Sequence, residues 1–448
     1  LQKIGAIPLY IPEPGYIRGC LNGRTGECSL TGSIPELEYD NERLSDIRLS
    51  GKSHFGKAQA DLTFLRLMSK KQVLFGLSAS AENDRLNTDV SWDNRQPVKH
   101  TGILSTTTQF FKNDPPYLKA VTRINPTQVI INDTVWNVHP ATVCLHHGSI
   151  AIDSFFVSQS DRHLGINGTL TRDATDSLVV DLKDINLQYV FNIINFHAVE
   201  FGGEATGRVY ARQLFKAPEM DAHLHVQNFT FNDGYMGNMN VYGKWDKEKK
   251  AIFLRAQMND PAEHHTTLVD GTIAPGQGPD RGLDLNIRTE RINLYFLNKF
   301  TSGIFTDFKG RASGWARVFG PFKQINVEGD LKVEEARMKV DVLNADYHLT
   351  GDSVILRPDN IWIQKARAYD NEGNPERNDH YAVVDGWMHH EHFSNMQYRF
   401  DIEAHNVLGY DRRTFGDEVF HGTVYASGRV RLNGRPGELN VDIDAHPE

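Results

Sequence analysis

The sequence predicts an all-β protein with few short helices, in which a long, twisted and predominantly antiparallel sheet carries one apolar face. Three observations predict this fold class: apolar and polar residues alternate through most of the chain, turn dipeptides such as Asn22-Gly23 and Asn433-Gly434 separate the alternating runs, and a set of landmarks recurs about every 110 residues. Alternation with a period of two places the apolar side chains of a strand on one face. A sheet with one dry face must close on itself, pair with a second sheet or curl into a trough.

The composition is that of a folded protein and narrows the possible partners. The chain has 448 residues, of which 40% are hydrophobic and 23% charged, and its net charge is −9. Without a basic excess to neutralise phosphates, it is not expected to bind nucleic acid. The uncharged stretch at residues 185–199 has 15 residues, whereas a membrane-spanning helix needs about 20. The first residues show no signal-peptide pattern, and we expect the chain to be an internal fragment of a longer protein.

The alternating runs supply the candidate residues of the apolar face. In the run that ends at Phe231 the pattern shifts by one residue after Val226, as it does where a strand contains a β-bulge. The run that ends at Val340 has a similar shift. The predicted groove-lining residues are Leu224, Val226, Phe229, Phe231, Leu283, Leu285, Ile287, Leu331, Val333, Met338, Val340, Phe400, Ile402, Val430, Leu432, Val441 and Ile443.

An internal repeat sets the predicted organisation of the chain. A Gly-x-Ala-x-Gly motif occurs at residues 203–207 and 310–314, and its Ala-x-Gly part recurs at residues 426–428, so that its last glycine recurs after 107 and 114 residues. Three further glycines, each just before the next alternating run, recur at a similar spacing. The predicted structural glycines are Gly203, Gly207, Gly310, Gly314 and Gly428. The repeat divides the chain into an irregular segment at 1–40, a first β unit at 41–162, repeat units at 163–265 and 266–380, and the start of a third at 381–448, all within one continuous rod.

Two segments before the glycine motif have helical spacing. Leu187, Phe191 and Ile194 share one helical face, and Leu294, Leu297 and Phe300 share another. Helices this short are unstable alone, so we expect both to dock on the sheet. There they either fill the core at the sheet edge or form a rim.

The cysteines leave one question open. Cys20 and Cys28 flank the Asn22-Gly23 turn, so the two strands of a hairpin could bring their sulfur atoms together. A disulfide and two free thiols are equally compatible with this spacing. No second pair of cysteines or histidines stands at the distance of a zinc site.

The repeat resembles the TamB family, which comprises the AsmA-like translocation and assembly proteins of bacterial envelopes. The resemblance rests on the glycine motif followed by a strand such as GDLKVEEARM (Gly329 to Met338), and on VSWDNRQPVKHTGILSTTTQF (Val90 to Phe110). Two stretches between Pro126 and Leu170, PTQVIINDTVWNV and SIAIDSFFVSQSDRHLGINGTL, are similar to members from Bacteroides-type bacteria.

The resemblance implies an elongated half-pipe, or β-taco, with an apolar groove. It implies a periplasmic protein of a Gram-negative bacterium, anchored in the inner membrane by an N-terminal segment and meeting an Omp85-type, TamA-like barrel in the outer membrane. The implied activity is passage of phospholipid between the membranes and support of outer-membrane biogenesis. Family members need no cofactor and are not enzymes, and their cargo is the acyl chain of the lipid.

The residues themselves contain no catalytic motif. There is no Gly-x-Ser-x-Gly elbow, P-loop or His-Glu-x-x-His. His390 and His392 share a strand face, a spacing that can hold a metal, but we interpret them as exposed residues at a turn, so neither a metal nor a catalytic site is predicted.

Two other functions remain possible from the sequence. An open sheet edge could accept strands of nascent outer-membrane proteins, as a chaperone would. A polysaccharide-acting β-solenoid enzyme or adhesin is disfavoured because no repeat of about 20–30 residues is present. Clustered carboxylates and exposed aromatic residues on the wet face would favour it.

Overall fold

The structure is a computed structural model, and it describes residues 9–447 except for residues 40–41, 69–70, 115–116, 147, 172–175, 194–198, 214–218, 276–280, 302–304, 323, 342, 350, 375–378, 413–420 and 436–437. The chain divides into two compact units. The first comprises residues 1–184 and 208–218, and the second comprises residues 185–207 and 219–448.

Strands dominate the described residues, which confirms the predicted all-β class. The strands up to residue 186 are β1 (Leu9–Tyr10), β2 (Tyr16–Asn22), β3 (Glu27–Tyr39), β4 (Glu42–His54), β5 (Lys57–Met68), β6 (Lys71–Glu82), β7 (Arg85–Asp93), β8 (His100–Asp114), β9 (Tyr117–Ile124), β10 (Thr127–Ile131), β11 (Thr134–Val138), β12 (Ala141–His146), β13 (Ser149–Gln159), β14 (Arg162–Leu170) and β15 (Ser177–Asn186).

The later strands are β16 (Phe201–Arg212), β17 (Glu219–Phe231), β18 (Gly234–Tyr235), β19 (Asn238–Asp246), β20 (Ala251–Asp260), β21 (His265–Ala274), β22 (Gly282–Asn293), β23 (Phe305–Gly320), β24 (Asn326–Val340), β25 (Ala345–Leu349), β26 (Ser353–Arg357), β27 (Asn360–Asn374), β28 (Asp379–Glu391), β29 (Ser394–Arg412), β30 (Gly422–Arg435) and β31 (Glu438–Pro447). The helical elements are α1 (Leu187–Ile193), α2 (Asn298–Thr301) and the 3₁₀ turns Pro261–Glu263 and Leu294–Leu297.

The described strands of the first unit pair in antiparallel fashion. Strands β2 to β8 pair in chain order, and β1 adds to β3. The long strand β8 pairs with both β9 and β10, and β13 pairs with both β11 and β12. Strands β13, β14 and β15 then continue in chain order. Short hairpins between sequential strands produce this order directly, because antiparallel neighbours need only a tight turn.

The second unit follows the same rule. Strands β17, β19, β20, β21, β22, β23 and β24 pair in order. Strand β24 pairs with both β25 and β26, and both of these pair with β27. Strands β27 to β31 then pair in order.

The sheet of the second unit is curled, because its strands make contacts that a flat sheet forbids. Tyr235 belongs to β18, which pairs with β17 on the same side as β19, so β20 and β21 separate it from β22 by about 14 Å in a flat sheet. Yet the Asn293 amide nitrogen at the end of β22 donates to the Tyr235 carbonyl oxygen at 3.1 Å. A second contact of this kind joins β27 and β29, which lie two strand spacings apart. Asp370 of β27 accepts a hydrogen bond from the backbone N–H of Leu408 on β29 at 2.8 Å. The Tyr347 hydroxyl of β25 also donates to the Leu408 carbonyl oxygen.

The predicted repeat has a structural counterpart in the backbone. The recurring glycines Gly207, Gly314 and Gly428 have φ values of 147°, 146° and 143°. In each, a Cβ would lie within 2.4 Å of a carbonyl oxygen on the neighbouring strand. The other two predicted glycines, Gly203 and Gly310, also have positive φ, at 116° and 136°. The motif is therefore a close approach between backbones, which a side chain would prevent.

A β-bulge accompanies the glycine motif. Arg291 and Asn406 have φ values of 56° and 46° and lie at register shifts in β22 and β29. Their backbone N–H groups, which the ladder cannot use, donate to the hydroxyls of Ser313 and Ser427 at 2.9 Å each. Each serine is the residue just before the motif's last glycine. The repeat thus encodes a bulge together with the side chain that satisfies it.

One expectation about a segment was wrong. The described part of the segment 1–40, residues 9–39, is not irregular, since β2 and β3 form a hairpin there. The side chains of this hairpin are mostly exposed, so no apolar alternation marked it. Before the third glycine motif the described residues form a strand, because β29 continues to Arg412. Its Gly409 disfavours a helix, whereas α1 and the Leu294–Thr301 segment follow the prediction. Ile194 lies outside the described residues.

The glycine motif gives a direct test of the repeat. Gly314→Ala should destabilise the protein by at least about 2 kcal/mol, because the new Cβ requires an unfavourable φ and would lie 2.2 Å from the Asp330 carbonyl oxygen. Urea unfolding of both proteins measures the difference. Gly243→Ala is the matched control, because its Cβ would make only ordinary contacts. A loss of stability no larger for Gly314→Ala than for the control would contradict this role.

Candidate functional site

One face of the second unit carries a continuous row of apolar or small residues. In an antiparallel sheet, directly paired residues lie on the same face. The pairing runs without a break from β17 to β31. We call this row the apolar ladder: Val226, Met239, Met258, Thr267, Thr289, Gly314, Leu331, Val354, Ile363, Gly386, Phe400, Leu432 and Val441.

A second row lies beside the apolar ladder on the same face. It begins at Leu224, two residues before Val226, and its members are paired in the same way. The row comprises Leu224, Val241, Ala256, Val269, Ile287, Ala316, Gly329, Leu356, Ile361, Met388 and Tyr398. The apolar face is therefore at least two rows wide.

The apolar face lies on the inside of the curl. Tyr347, whose hydroxyl reaches across to β29, packs with Ala382, Ala404 and Val407, which belong to this face. At the contact that Asn293 makes across the sheet, the next residue, Leu294, packs on Val333. The curl therefore makes the apolar face concave.

Most of the concave face is only partly shielded from water. Among the predicted residues, Val226, Phe229 and Val333 are buried, and Val441 and Ile443 on β31 are exposed. The other predicted residues are half-buried. A closed core would bury such residues fully, so the described chain leaves this face open.

The structure places all the predicted groove-lining residues in the second unit on the concave face. The two shifts in the pattern are bulges: one at Asn228, with φ 51°, and one in β24 beside the register shift at Ala312. Each bulge returns the apolar residues that follow, such as Phe229 and Ala336, to the buried side.

Several residues of the concave face were missed from the sequence. Met239 and Met258 are in the apolar ladder on β19 and β20, and Val354 and Ile363 are in it on β26 and β27. The alternation in NMNVYGKWD, residues 238–246, was a signal that could have located the first of these strands.

The Leu294–Thr301 segment crosses the concave face. Phe296 stacks near Phe231 with ring centroids 5.4 Å apart, and Leu294 is 4% exposed. Lys299 forms ion pairs with Glu200 and Asp233, the second at 3.3 Å, which tie the segment to the loops around β17. The segment therefore bridges β17 and β24 over the face.

A buried polar triad includes two small residues of the apolar ladder, Thr267 and Thr289. The Nε2 atom of His265 lies 2.7 Å from the Thr267 hydroxyl, which lies 2.6 Å from the Thr289 hydroxyl. His265 and Thr267 are each 1% exposed. Burial, and secondarily the nearby Arg311 charge, lowers the pKa of His265, so the imidazole is held neutral.

The convex face is polar and carries paired charges. Arg317 contacts Asp284 at 2.7 Å and Glu328 at 3.2 Å, and the Arg317 hydrogen bond lowers the pKa of Asp284. Arg431 contacts Asp401 at 2.7 Å. Exposed pairs of this kind contribute at most about 1 kcal/mol each. These charges keep the convex face hydrated, whereas the concave face offers apolar contacts.

The cysteine question is answered against a disulfide. Cys20 and Cys28 are both free thiols. Leu21 is the cross-strand partner of Cys28, and Ser29 is that of Cys20, so the two cysteines lie on opposite faces of the hairpin. Neighbouring residues of a strand point to opposite sides, which keeps the sulfur atoms apart.

His390 does not lie exposed at a turn as expected. It is 1% exposed, stacks on Phe393 with ring centroids 4.7 Å apart, and accepts the Phe393 backbone N–H at 3.3 Å. Burial, followed by the charge of His389, lowers its pKa. His392 is exposed and contacts Asn326 at 3.0 Å. Across the described residues, no group of His, Cys, Asp and Glu is placed to hold a metal ion.

A comparison with protein families gives a match over part of the chain. Residues 254–385 match the family model described as the TamB C-terminal domain. This match covers β21 to β27 and most of β20 and β28, which contribute much of the concave face. A search of curated proteins and a search of solved structures gave no match. No helix within the described part of the chain is long and apolar enough to span a bilayer.

The buried triad predicts a pH dependence of stability. Since folding lowers the pKa of His265 from its ordinary 6.5, the unfolded chain binds more protons below that pH. Stability is then lost as the pH falls from about 7 through 6.5 and onward to the lower folded pKa. His265→Gln should be less stable than the parent at pH 8, and this difference should shrink at pH of about 5.5.

Urea unfolding at the two pH values measures both differences. His225→Gln is the control, since His225 is half-buried and its ring contacts the Asn240 side chain at 2.9 Å. Its difference from the parent should stay constant with pH. A His265→Gln difference that widened at low pH would show that His265 is not held neutral.

Proposed function

We propose that this chain, a member of the TamB family of translocation and assembly modules, carries phospholipid acyl chains along the concave face of its second unit. The TamB family belongs to the Gram-negative envelope and comprises non-enzymatic transport and assembly modules that work with Omp85-type partners. The proposal adds the cargo and the surface that holds it.

The observation that carries the proposal is the unbroken apolar ladder on a half-buried, concave face. Measured along the sheet, thirteen strands about 4.8 Å apart give a path of about 58 Å. A surface of this kind is unusual in a soluble protein, because large exposed apolar patches bind a partner or a lipid. The half-buried residues offer contact to an acyl chain while the curl keeps water away from one side of it.

The energetics suit a mobile cargo better than a fixed ligand. Each CH₂ group moved from water onto the face gains about 0.8 kcal/mol. Neighbouring positions of the apolar ladder, such as Leu331, Val354 and Ile363, differ little in size and polarity. An acyl chain therefore gains a similar free energy at each position, which allows it to slide. The charged lipid head group would remain at the open side of the trough.

The proposed setting follows the family. The chain would lie in the periplasm, and the parent protein would be anchored in the inner membrane and meet an Omp85-type, TamA-like barrel at the outer membrane. Phospholipid would pass between the membranes along the trough, in support of outer-membrane biogenesis. Binding of strands of unfolded outer-membrane proteins, as an open sheet edge would allow, is the alternative that the experiment below distinguishes.

Site-specific photocrosslinking tests the cargo. A benzophenone amino acid placed at Leu331 or Ile402 should capture phospholipid when the purified chain is irradiated with vesicles of phosphatidylethanolamine and phosphatidylglycerol. At Lys332 or Glu403, the adjacent positions on the convex face, capture should be lower by at least about tenfold, which corresponds to 1.4 kcal/mol. Mass spectrometry of the irradiated chain identifies the adduct.

The matched positions make the result decisive. Leu331 and Lys332 share a strand and differ in the face they occupy, as do Ile402 and Glu403. Equal lipid capture on the two faces would rule out the groove as the lipid site. In cells, capture of polypeptide rather than lipid at Leu331 would favour the strand-binding alternative.

A charge placed in the apolar ladder should interrupt it. In a chain with the photocrosslinker at Val354, the cross-strand partner of Leu331, Leu331→Arg should lower lipid capture by at least about tenfold, because a guanidinium is costly to bring beside an acyl chain. Lys332→Glu, on the other face, should leave capture unchanged. Circular dichroism confirms that both variants fold. Undiminished capture in the Leu331→Arg chain would contradict a continuous acyl-chain path.

A further inference from the structure

Exposed tryptophans lie on the convex face of the second unit. Trp362 of β27 is the cross-strand partner of Trp387 of β28, and Trp362 is 38% exposed. Trp315 on β23 lies on the same face, three strand spacings away, and is 45% exposed. Tryptophans are rarely left in water on a face that is otherwise charged, and such aromatic groups mark binding surfaces. The apolar ladder does not involve them, so lipid carriage leaves them unexplained.

An open cleft of about 600 Å³ lies beside the tryptophan pair. This is within the range of about 300–1,000 Å³ that is typical of ligand sites. We call it the tryptophan cleft. Besides Ile363 and Gly386, the residues that line it are two tryptophans and five polar or charged residues: Trp362, Trp387, Gln364, Lys365, Asp385, Arg399 and Asp401.

A β-bulge builds one wall of the tryptophan cleft. Lys365 has φ 48°, and the register of β27 shifts between Ile363 and Ala366. The backbone N–H of Lys365 donates to the Asp385 carboxylate at 3.1 Å, which fixes the bulge. In a regular strand, Gln364 and Lys365 would lie on opposite faces, whereas here both line the cleft. The bulge thus adds a hydrogen-bonding group beside the indoles.

The charges of the tryptophan cleft balance. Lys365 and Arg399 face the carboxylates Asp385 and Asp401. Asp401 is bound by Arg431 at 2.7 Å and by Arg399 at 3.5 Å, and Arg431 lowers its pKa. Within the lining, two cations and two carboxylates leave no net charge to attract an anion such as a phosphate or a nucleic acid, and the neighbouring Arg431 is paired with Asp401. A neutral, polar ligand therefore suits this lining.

We propose that the tryptophan cleft binds a neutral polysaccharide chain. A pyranose ring has one face of C–H groups and an edge of hydroxyls. The C–H face suits the electron-rich faces of Trp362 and Trp387, and the hydroxyls suit the carboxylates and the Gln364 amide beside them. A protein surface placed here would take the ion pairs of Asp401 out of water, which is costly, whereas sugar hydroxyls keep these groups hydrogen-bonded.

Titration of the full purified chain with triacetylchitotriose and with cellotriose tests the proposal. We expect saturable binding of at least one of them, measured by tryptophan fluorescence and by calorimetry. Trp362→Ala and Trp387→Ala should each weaken it by at least about tenfold, while Trp387→Phe, which keeps an aromatic face, should weaken it less. Trp315→Ala is the matched control, exposed on the same face but outside the cleft, and should leave binding of a trisaccharide unchanged.

The outcomes separate the possible occupants. Gln364→Ala, which removes only one amide, keeps the test valid if a tryptophan variant proves unstable by thermal melting, and it should also weaken binding. Failure of both sugars to bind, or binding that Trp362→Ala and Gln364→Ala both leave unchanged, would overturn the proposal. So would tighter binding of a sulfated trisaccharide than of the neutral ones, or a change of oligomeric state in Trp362→Ala without any sugar binding.

Discussion

The hydrogen-bond register between antiparallel strands is the constraint on which the second unit depends. A shift of one residue in any pair would move the apolar side chains of that strand to the wet face and break the apolar ladder. The register is set locally, because nearly every strand pairs with the next one in the chain through a short connection. The apolar ladder is therefore continuous over many strands because each neighbouring pair of strands sets its own register.

The bulges convert this flat pattern into a trough. An extra residue on one strand increases local twist and bends the strand. The second unit has bulges at Asn228, Arg291, Lys365 and Asn406, spread along its length. Their effect is visible where Asp370 of β27 meets Leu408 of β29 across an intervening strand. The same device that curls the sheet around its concave face brings Gln364 and Lys365 together in the lining of the tryptophan cleft.

The sequence predicted most of the apolar face, because alternation is a local signal. Leu331 and Phe400 could be assigned to one side from their own strands alone, and the pattern shift before Phe229 revealed a bulge. The pairing of Val226 with Met239, or of Val354 with Ile363, could not be predicted, since it depends on hairpins between weakly patterned strands. The burial of His390 depends on Phe393, which folds back over it at a turn. The tryptophan cleft could not be predicted without the strand register, because Trp362 and Trp387 are 25 residues apart in sequence and become neighbours only through pairing.

The serine that satisfies each bulge has a consequence for how such a protein can change its length. Ser313 and Ser427 each cap the bulge of the preceding strand, from within the same repeat. The bend is therefore completed by residues of one repeat and needs no partner from distant parts of the chain. Duplication or deletion of a whole repeat would add or remove one segment of trough while it left the curvature of the others intact. A gene that encodes this pattern can thus lengthen or shorten the trough in steps of one repeat, without redesign of its lining.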